Sequence, residues 1–239
     1  MKPKLSSPPP TPRALAKLPP LPRSFFARNP RLVARELLGK LLIRRQSRTI
    51  LAGRIVEAEA YLGLTDPGAH SYRGLTPRNA VLFGPPGHAY IYFIYGNHFC
   101  TNVSCQPPSE AGAGGVLLRA LEPVCGIPEM AALRGLAPAS GAASVAAYPT
   151  HSRPAQLRLL TSGPGRLSQA LAITRPTDNG KDFCSPSSDL IIADDGAPAP
   201  PVTATPRINV TSAPLDEWRY IVTGNPFVSG PRSINTKPR

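Results

Sequence analysis

The chain has 239 residues, which suits one domain with flanking tails, and 41% of them are hydrophobic, enough for a packed core. Its 27 Lys and Arg against 14 Asp and Glu give a formal net charge of +13, which favours a polyanionic partner such as nucleic acid. No stretch approaches the ~18 consecutive apolar residues that a membrane helix needs, so we expect an intracellular protein outside the membrane.

The two ends of the chain and one internal stretch have compositions that do not favour a core. Residues 1–24 contain eight prolines and five basic residues but no acid, which predicts a disordered tail that acts as a phosphate tether, a targeting signal or only a solvated leader. The stretch 135–156 is rich in Ala, Ser, Gly and Pro and is predicted to be a flexible insertion. With a second tail over 231–239, the ordered domain should span residues 25–230.

The four cysteines do not predict a disulfide framework or a metal site. Cys100, Cys105, Cys125 and Cys184 form no Cys-x-x-Cys pair, and no secretory signal is recognised. His98 is a weak zinc signal, because Cys100 and Cys105 are too far apart and a second ligand pair is missing. We therefore expect reduced, structural thiols and no cofactor.

Three helices are predicted from start and stop signals. The first begins at Asn29-Pro30, carries an apolar stripe at helical spacing and ends at Gly39. A short helix is predicted over 127–134. A third begins with Ser162 as its N-cap, shortly before a proline.

Strand-like runs are more numerous than helices. They are predicted at 41–45, 50–61, 89–95, 99–105, 115–121, 189–193 and 219–223. The turn signal Gly96-Asn97 predicts that 89–105 form a β-hairpin. Few helices and many short strands without a βαβ rhythm predict an α+β fold with an antiparallel sheet.

The most informative segment is 53–61. Alternate side chains of a strand share a face, so Glu57, Glu59 and Tyr61 should lie together. Two carboxylates beside an aromatic ring fit either a solvated face or a reactive site, and the segment alone does not decide between them. His70, on the following loop, is by itself more typical of a surface or capping residue.

The predicted hairpin 89–105 is unusually aromatic. Tyr90 and Tyr92 should point to the face opposite Phe93, whereas Tyr95 lies at the turn. An exposed aromatic residue at a hairpin tip of a basic protein is a candidate wedge between DNA base steps. The alternative, a residue that fills the core, fits Phe93 better than Tyr95.

Several motifs follow one another in a fixed order: Glu57-Ala58-Glu59-Ala60-Tyr61, His70, Thr76-Pro77-Arg78-Asn79, the tyrosine hairpin through Asn102, Leu117-Leu118-Arg119-Ala120-Leu121-Glu122-Pro123, and Ser162-Gly163-Pro164. From about residue 25 to 229, the series resembles the alkyladenine (3-methyladenine) DNA glycosylases. The resemblance implies one α+β domain whose curved antiparallel sheet or barrel-like core is flanked by helices. A hairpin would protrude from it into the DNA minor groove.

The resemblance implies a base-excision-repair enzyme. It would extrude 3-methyladenine, 7-methylguanine, hypoxanthine or ethenoadenine from duplex DNA and hydrolyse the N-glycosidic bond without a lyase step. Glu59 matches the general base that activates water, and Arg119 matches a residue near that water and the target phosphate. Tyr95 matches the side chain that fills the vacated space in the duplex. Tyr90 and Leu117 match residues that support the pocket.

The remaining base-binding residues match the walls of that pocket. Tyr61, His70 and Tyr92 match the side chains between which the extruded base stacks. Asn102 matches the residue that opposes the exocyclic amine of normal guanine. One departure from the family is Asn97, where an apolar residue such as Met is expected beside the wedge, which puts the depth of the wedge in question.

The implied partner is double-stranded DNA with a damaged purine, bound by a monomer that lies with the DNA, in a bacterial nucleoid or a nucleus. A non-catalytic nucleic-acid-binding module on the same scaffold is the main alternative. Glu59 argues against it, because a pure binder needs no carboxylate that faces DNA. A metal-dependent nuclease is a further alternative, but it needs a cluster of acids, and the 14 carboxylates are scattered.

Overall fold

The core of the molecule is an antiparallel β-sheet, seen in a computed structural model that describes residues 10–46, 49–94, 96, 98–106, 112–136, 154–212, 215–231 and 235. The strands are β1 (Leu41–Arg45), β2 (Ile50–Tyr61), β3 (Ala89–Ile94), β4 (His98–Cys105), β5 (Gly114–Cys125), β6 (Leu190–Ala193), β7 (Val202–Thr205) and β8 (Arg219–Val222). The helices are α1 (Pro12–Lys17), α2 (Arg23–Phe26), α3 (Pro30–Leu37), α4 (Ala80–Phe83), α5 (Ile127–Leu133), α6 (Pro154–Thr161), α7 (Pro164–Ala170) and α8 (Arg175–Asp178).

The two long strands β2 and β5 form the centre of the sheet. The strand order is β3-β4-β5-β2-β1-β6, and β8 joins β2 beyond the end of β1 and pairs with β7 on its other side. All of these pairings are antiparallel. The predicted α+β class, with helices around an antiparallel sheet, is confirmed. The sheet stays open, however, and does not close into a barrel.

The register between β2 and β5 shifts on both sides of Glu57. Val56 of β2 and Arg119 of β5 fall outside the paired positions. Such irregularities bend a strand and redirect side chains, and they are common beside functional sites. Here the shift allows Arg119 to reach both Glu57 and Glu59, which lie on either side of Ala58.

The start of α3 agrees with its sequence signals. The side chain of Asn29 accepts a hydrogen bond from the amide of Arg31, and Pro30 is the first helical residue. Val33 and Leu37 are fully buried in the main core, as the apolar stripe requires. In the described part of the chain, no helix is long and apolar enough to cross a membrane.

The prediction of a disordered tail is wrong for residues 10–24. Thr11 caps α1, and Leu15 is completely buried against β1 and β6. Pro20 then forms a bridge to Ala193 at the edge of β6. The proline-rich, basic composition predicted disorder because it offers almost no core of its own. An open sheet edge can nevertheless order such a short segment by pairing with it. The preceding residues lie outside the described part.

Two predictions around α6 and α7 also need correction. Of the predicted insertion 135–156, residues 137–153 lie outside the described part, but α6 already begins at Pro154. Ser162 is not the N-cap of α7, because that position is taken by Gly163, whose φ of 124° favours glycine. Ser162 instead forms a bridge to Ala120 of β5. The predicted tail 231–239 lies almost entirely outside the described residues.

Candidate active site

A cavity of about 380 Å³ opens where β3, β4 and β5 meet the loop that follows β2. This volume is typical of a small-molecule site. Seven predicted site residues contribute to its wall: Tyr61, His70, Tyr90, Tyr92, Asn102, Leu117 and Arg119. Glu59 lies directly behind the wall, hydrogen-bonded to two of these residues, and Tyr95 lies outside the described residues. The sequence therefore identified the aromatic rings and the arginine of this cavity, but fewer than half of the residues that line it.

One side of the cavity consists of aromatic rings in mutual contact. The rings of His70 and Tyr92 are 4.5 Å apart at 69°, and those of Tyr90 and Tyr92 are 5.5 Å apart. His70 Nδ1 and the Tyr90 hydroxyl are 2.9 Å apart and share a hydrogen bond. The alternation predicted for β3 is confirmed, because Ile91 is buried in the core and Phe93 is 47% exposed on the face away from the cavity.

The Thr-Pro-Arg-Asn motif fixes the loop that carries His70. The amide nitrogen of Asn79 donates hydrogen bonds to the carbonyls of His70 (2.9 Å) and Gly74 (3.0 Å), and its oxygen accepts one from the Thr76 amide. Burial, and then the nearby charge of Arg78, lower the pKa of His70 below its ordinary value of 6.5. His70 is thus a surface residue, as its sequence context suggested, but it lies on the rim of the cavity, and its lowered pKa favours the neutral ring at pH 7.

The carboxylate of Glu59 is fully buried and accepts three hydrogen bonds. Its Oε2 accepts from the Tyr61 hydroxyl (2.9 Å) and from Nη1 of Arg119 (3.2 Å), while Oε1 accepts from the Ile208 amide (2.8 Å). Burial and the charge of Glu59 raise the pKa of Tyr61 well above its ordinary value, so this hydroxyl keeps its proton and can donate it. The alternative of a solvated carboxylate face is therefore wrong.

Glu57 lies in the same buried cluster as Glu59 but makes different contacts. Its Oε1 accepts from Nε of Arg119 (2.9 Å) and Nε of Arg219 (2.7 Å), and its Oε2 accepts from the Ser229 amide (2.7 Å). Burial opposes ionisation of Glu57, but the two guanidinium groups lower its pKa below the ordinary value. Burial alone would lower the pKa of Arg119, yet the charges of Glu59 and Glu57 raise it above its ordinary value.

Asn102 and Leu117 hold their expected places on the cavity wall. Asn102 pairs with Tyr90 across the β3–β4 hairpin, and its amide nitrogen donates to the Tyr90 carbonyl (3.0 Å). Leu117 pairs with Glu59 across β2 and β5 and is 4% exposed. The Ser162-Gly163-Pro164 motif also has a role here, because the Gly163 amide donates to the carbonyl of Arg119 (3.0 Å).

A buried ion pair behind Tyr61 was missed by the sequence analysis. Asp66 accepts two hydrogen bonds from Arg207, of 2.6 and 2.9 Å, and both side chains are fully buried. The guanidinium lies 4.7 Å from the Tyr61 ring centre and 4.8 Å from that of Trp218. Tyr61 lines the cavity and Arg207 does not, so the guanidinium supports the wall from behind. No sequence spacing links partners 141 residues apart.

The segment Ile208-Asn209-Val210 was also missed, although it lines the cavity. Asn209 has a φ of 59°, a left-handed conformation that Asn tolerates better than most residues. This turn directs the Ile208 amide toward Glu59. An Asn between two β-branched residues is too common a pattern to have predicted this role. Within the described residues, no group of three His, Cys, Asp or Glu side chains could hold a metal ion.

Comparison with known proteins agrees with this geometry. Residues 24–226 match the family model described as methylpurine-DNA glycosylase. A protein of Koribacter versatilis (strain Ellin345), named "Putative 3-methyladenine DNA glycosylase", is 60% identical over 221 residues, which cover 92% of this chain and 98% of the relative. Proteins with the same name are 46% identical in Burkholderia lata (88% of this chain, 91% of the relative) and 43% identical in Rhodopseudomonas palustris strain HaA2 (93% and 95%).

The fold, the cavity and these matches define a DNA glycosylase, an enzyme of DNA repair. The chain belongs to the methylpurine-DNA glycosylase family.

Proposed function

We propose that this enzyme extrudes alkylated or deaminated purines from duplex DNA into the aromatic cavity and hydrolyses their N-glycosidic bond with a water molecule activated by Glu59. The expected substrates are 3-methyladenine, 7-methylguanine, hypoxanthine and ethenoadenine. The observation that carries the proposal is the contact of the buried Glu59 carboxylate with Tyr61 and Arg119, two residues of the cavity wall.

The composition of the wall supports purine binding. A base taken out of the stack loses its neighbours, and aromatic side chains can replace them. Tyr61, His70 and Tyr92 provide rings on adjoining sides of the cavity. Purines that alkylation has made cationic gain a further attraction to these electron-rich rings. Asn102 is the candidate for discrimination against guanine, whose exocyclic amine would meet it.

The buried charges support the chemistry. In the proposed step, Glu59 takes a proton from water, the water oxygen bonds to the sugar C1′, and the base leaves with the electron pair of the broken C1′–N bond. The sugar passes through an oxocarbenium-like state, which a neighbouring carboxylate also stabilises. Arg119, beside Glu59, can hold the water or the target phosphate. We propose water as the nucleophile and no lyase step, in keeping with a cavity wall whose described residues include no lysine that could form a Schiff base.

The partner and setting follow from this activity. The net charge of +13 suits binding to the phosphates of double-stranded DNA. Tyr95, the next residue in the chain after β3, is the proposed wedge that fills the space of the extruded base. We propose that the enzyme acts as a monomer, in the same compartment as the DNA.

Single-turnover excision from duplex oligonucleotides with one hypoxanthine or one ethenoadenine tests the proposal, with EDTA present. The wild type should release the free base, and Glu59→Gln should lower the rate by about 10²–10⁴-fold, the usual contribution of a general base. Lesion binding should survive, because Gln keeps the shape of Glu.

Two outcomes would contradict the proposal. A Glu59→Gln rate within a few-fold of wild type would remove Glu59 as the base. A wild type inactive on these substrates and on 3-methyladenine DNA, but still able to bind lesion duplex, would favour the non-catalytic binding module.

A further inference from the structure

We propose that Glu57 is a positioning residue for Arg119. It holds the guanidinium so that Arg119 does not donate two hydrogen bonds to Glu59, and the Glu59 carboxylate therefore stays able to accept a proton. This inference rests on the proposed function. Glu57 is the other carboxylate of the segment Glu57-Ala58-Glu59, and the proposed reaction gives it no part. It is fully buried, although burial of a carboxylate is costly without a specific set of partners.

The hydrogen bonds of Arg119 are divided between the two carboxylates. Nε donates to Glu57 over 2.9 Å, whereas Nη1 donates to Glu59 over 3.2 Å. Arginine usually prefers two parallel hydrogen bonds to one carboxylate. Arg119 therefore makes the shorter bond to the carboxylate that is not the proposed base, and only one bond to the carboxylate that is.

The surroundings of Glu57 make it a rigid anchor. Arg219 donates to it from β8, and both the amide and the hydroxyl of Ser229 donate to it, over 2.7 and 2.9 Å. A carboxylate with four donors has little freedom to move. Glu57 thus ties the guanidinium of Arg119 to the rigid C-terminal part of the domain, on the side away from the cavity.

Loss of the Glu57 charge would change what Arg119 does. The guanidinium could then turn to Glu59 and bind both of its oxygens, which would occupy the lone pairs needed for the proton of water. Glu59 would then be less able to take the proton of the attacking water. The charged and titratable groups that act on Glu59 from the surrounding elements are Tyr61, Tyr92, Cys100, Arg119 and Arg207, and Glu57 is linked to it through Arg119.

The test is single-turnover excision by Glu57→Gln as a function of enzyme concentration and pH. We expect the saturating rate to fall at least tenfold, a part of the ~10²–10⁴-fold that a general base contributes. The half-saturating enzyme concentration should stay within about twofold, since the aromatic wall is intact. The acid limb of the pH profile should move to lower pH, because a negative charge beside the base is lost.

Two control variants separate this role from a structural one. Glu57→Asp keeps the charge, so the acid limb should stay at its wild-type position. Ser229→Ala removes one hydrogen bond to Glu57 but no charge, so it should lower the rate less than Glu57→Gln does and leave the acid limb at its wild-type position. If Glu57→Gln does not fold, Glu57→Gln/Arg219→Gln restores the charge balance of the cluster, and the loss of rate should persist in it.

The inference and the proposed function fail in different ways. A wild type that releases no base from any lesion overturns the proposed function. A wild type that is active, together with a folded Glu57→Gln of unchanged rate and pH profile, overturns the inference alone. A parallel loss of rate, binding and thermal stability with an unmoved acid limb would also overturn it, because Glu57 would then be only structural.

Discussion

The two sides of the cavity are built from opposite kinds of chemistry. The side formed by β3 and by the His70 loop, which follows β2, carries neutral rings that contact one another and share one hydrogen bond. The side formed by β2 and β5 is backed by buried charges, among them Glu57, Glu59 and Arg119. The neutral side can bind flat purine bases that carry different substituents, whereas the hydrogen bonds of the charged side hold its carboxylates and guanidinium groups in one geometry.

This difference predicts how the two sides respond to substitution. A buried ion pair that loses one partner leaves an uncompensated charge, so variants on the charged side should lose stability or chemistry. Removal of an aromatic ring from the cavity wall takes away stacking area but leaves no charge without its partner. Variants on the neutral side should therefore lose affinity first.

The largest expected effect is on stability, at the ion pair behind Tyr61. Asp66→Ala leaves Arg207 buried without its carboxylate, and the free energy of unfolding should fall by about 3–5 kcal/mol. Urea unfolding at pH 7.5 measures this loss. Glu36→Ala, which breaks an exposed pair with Arg28, is the matched control and should cost about 0–1 kcal/mol. Equal losses in the two variants would remove the distinction between the buried and the exposed pair.

An intermediate effect is expected for affinity on the neutral side. Tyr92→Ala should weaken lesion binding by about 1–3 kcal/mol, the usual value for one aromatic ring stacked on a base. The half-saturating enzyme concentration in single-turnover excision measures it. Phe93→Ala, on the same strand but the opposite face, should leave this concentration unchanged. If both variants bind as wild type does, the aromatic wall is not where the base stacks.

The smallest effect is a pH dependence at His70. Its pKa is lower in the folded protein than the ordinary 6.5, so the unfolded chain takes up a proton more readily. The stability that neutral His70 contributes is present above about pH 6.5 and is lost as the pH falls below it. Between pH 7.5 and 5.5, the urea midpoint should therefore fall more in wild type than in His70→Gln. Identical falls would contradict the lowered pKa of His70.

Local patterns were enough for a large part of the sheet. The bounds predicted for β1 and β2 are those of the structure, and the faces of Tyr90, Tyr92 and Phe93 follow from simple alternation. These features depend on residues close together in the chain, where the period of two acts directly. The start of α3 was predicted for the same reason, since its cap and first turn involve only neighbours.

Patterns failed where a distant partner decides the outcome. The composition of residues 10–24 gave no sign that Leu15 would be buried, because its contacts come from β1 and β6. The short strand β7 was missed because its pairing with β8 defines it more than its own four residues do. Ser162 is a residue type that favours the N-cap position. In the structure, however, it forms a bridge to Ala120 of β5, and Gly163 is the N-cap of α7.

The sequence by itself determined the family, most of the sheet, and the aromatic residues and the arginine around the cavity. Only the tertiary structure decided that Glu57 and Glu59 are buried, how they share Arg119, and that Arg207 supports Tyr61 from behind. The physical reason is separation along the chain. The partners of these charges are supplied from about 60 to 160 residues away, through a shifted strand register and a left-handed turn that local propensities do not encode.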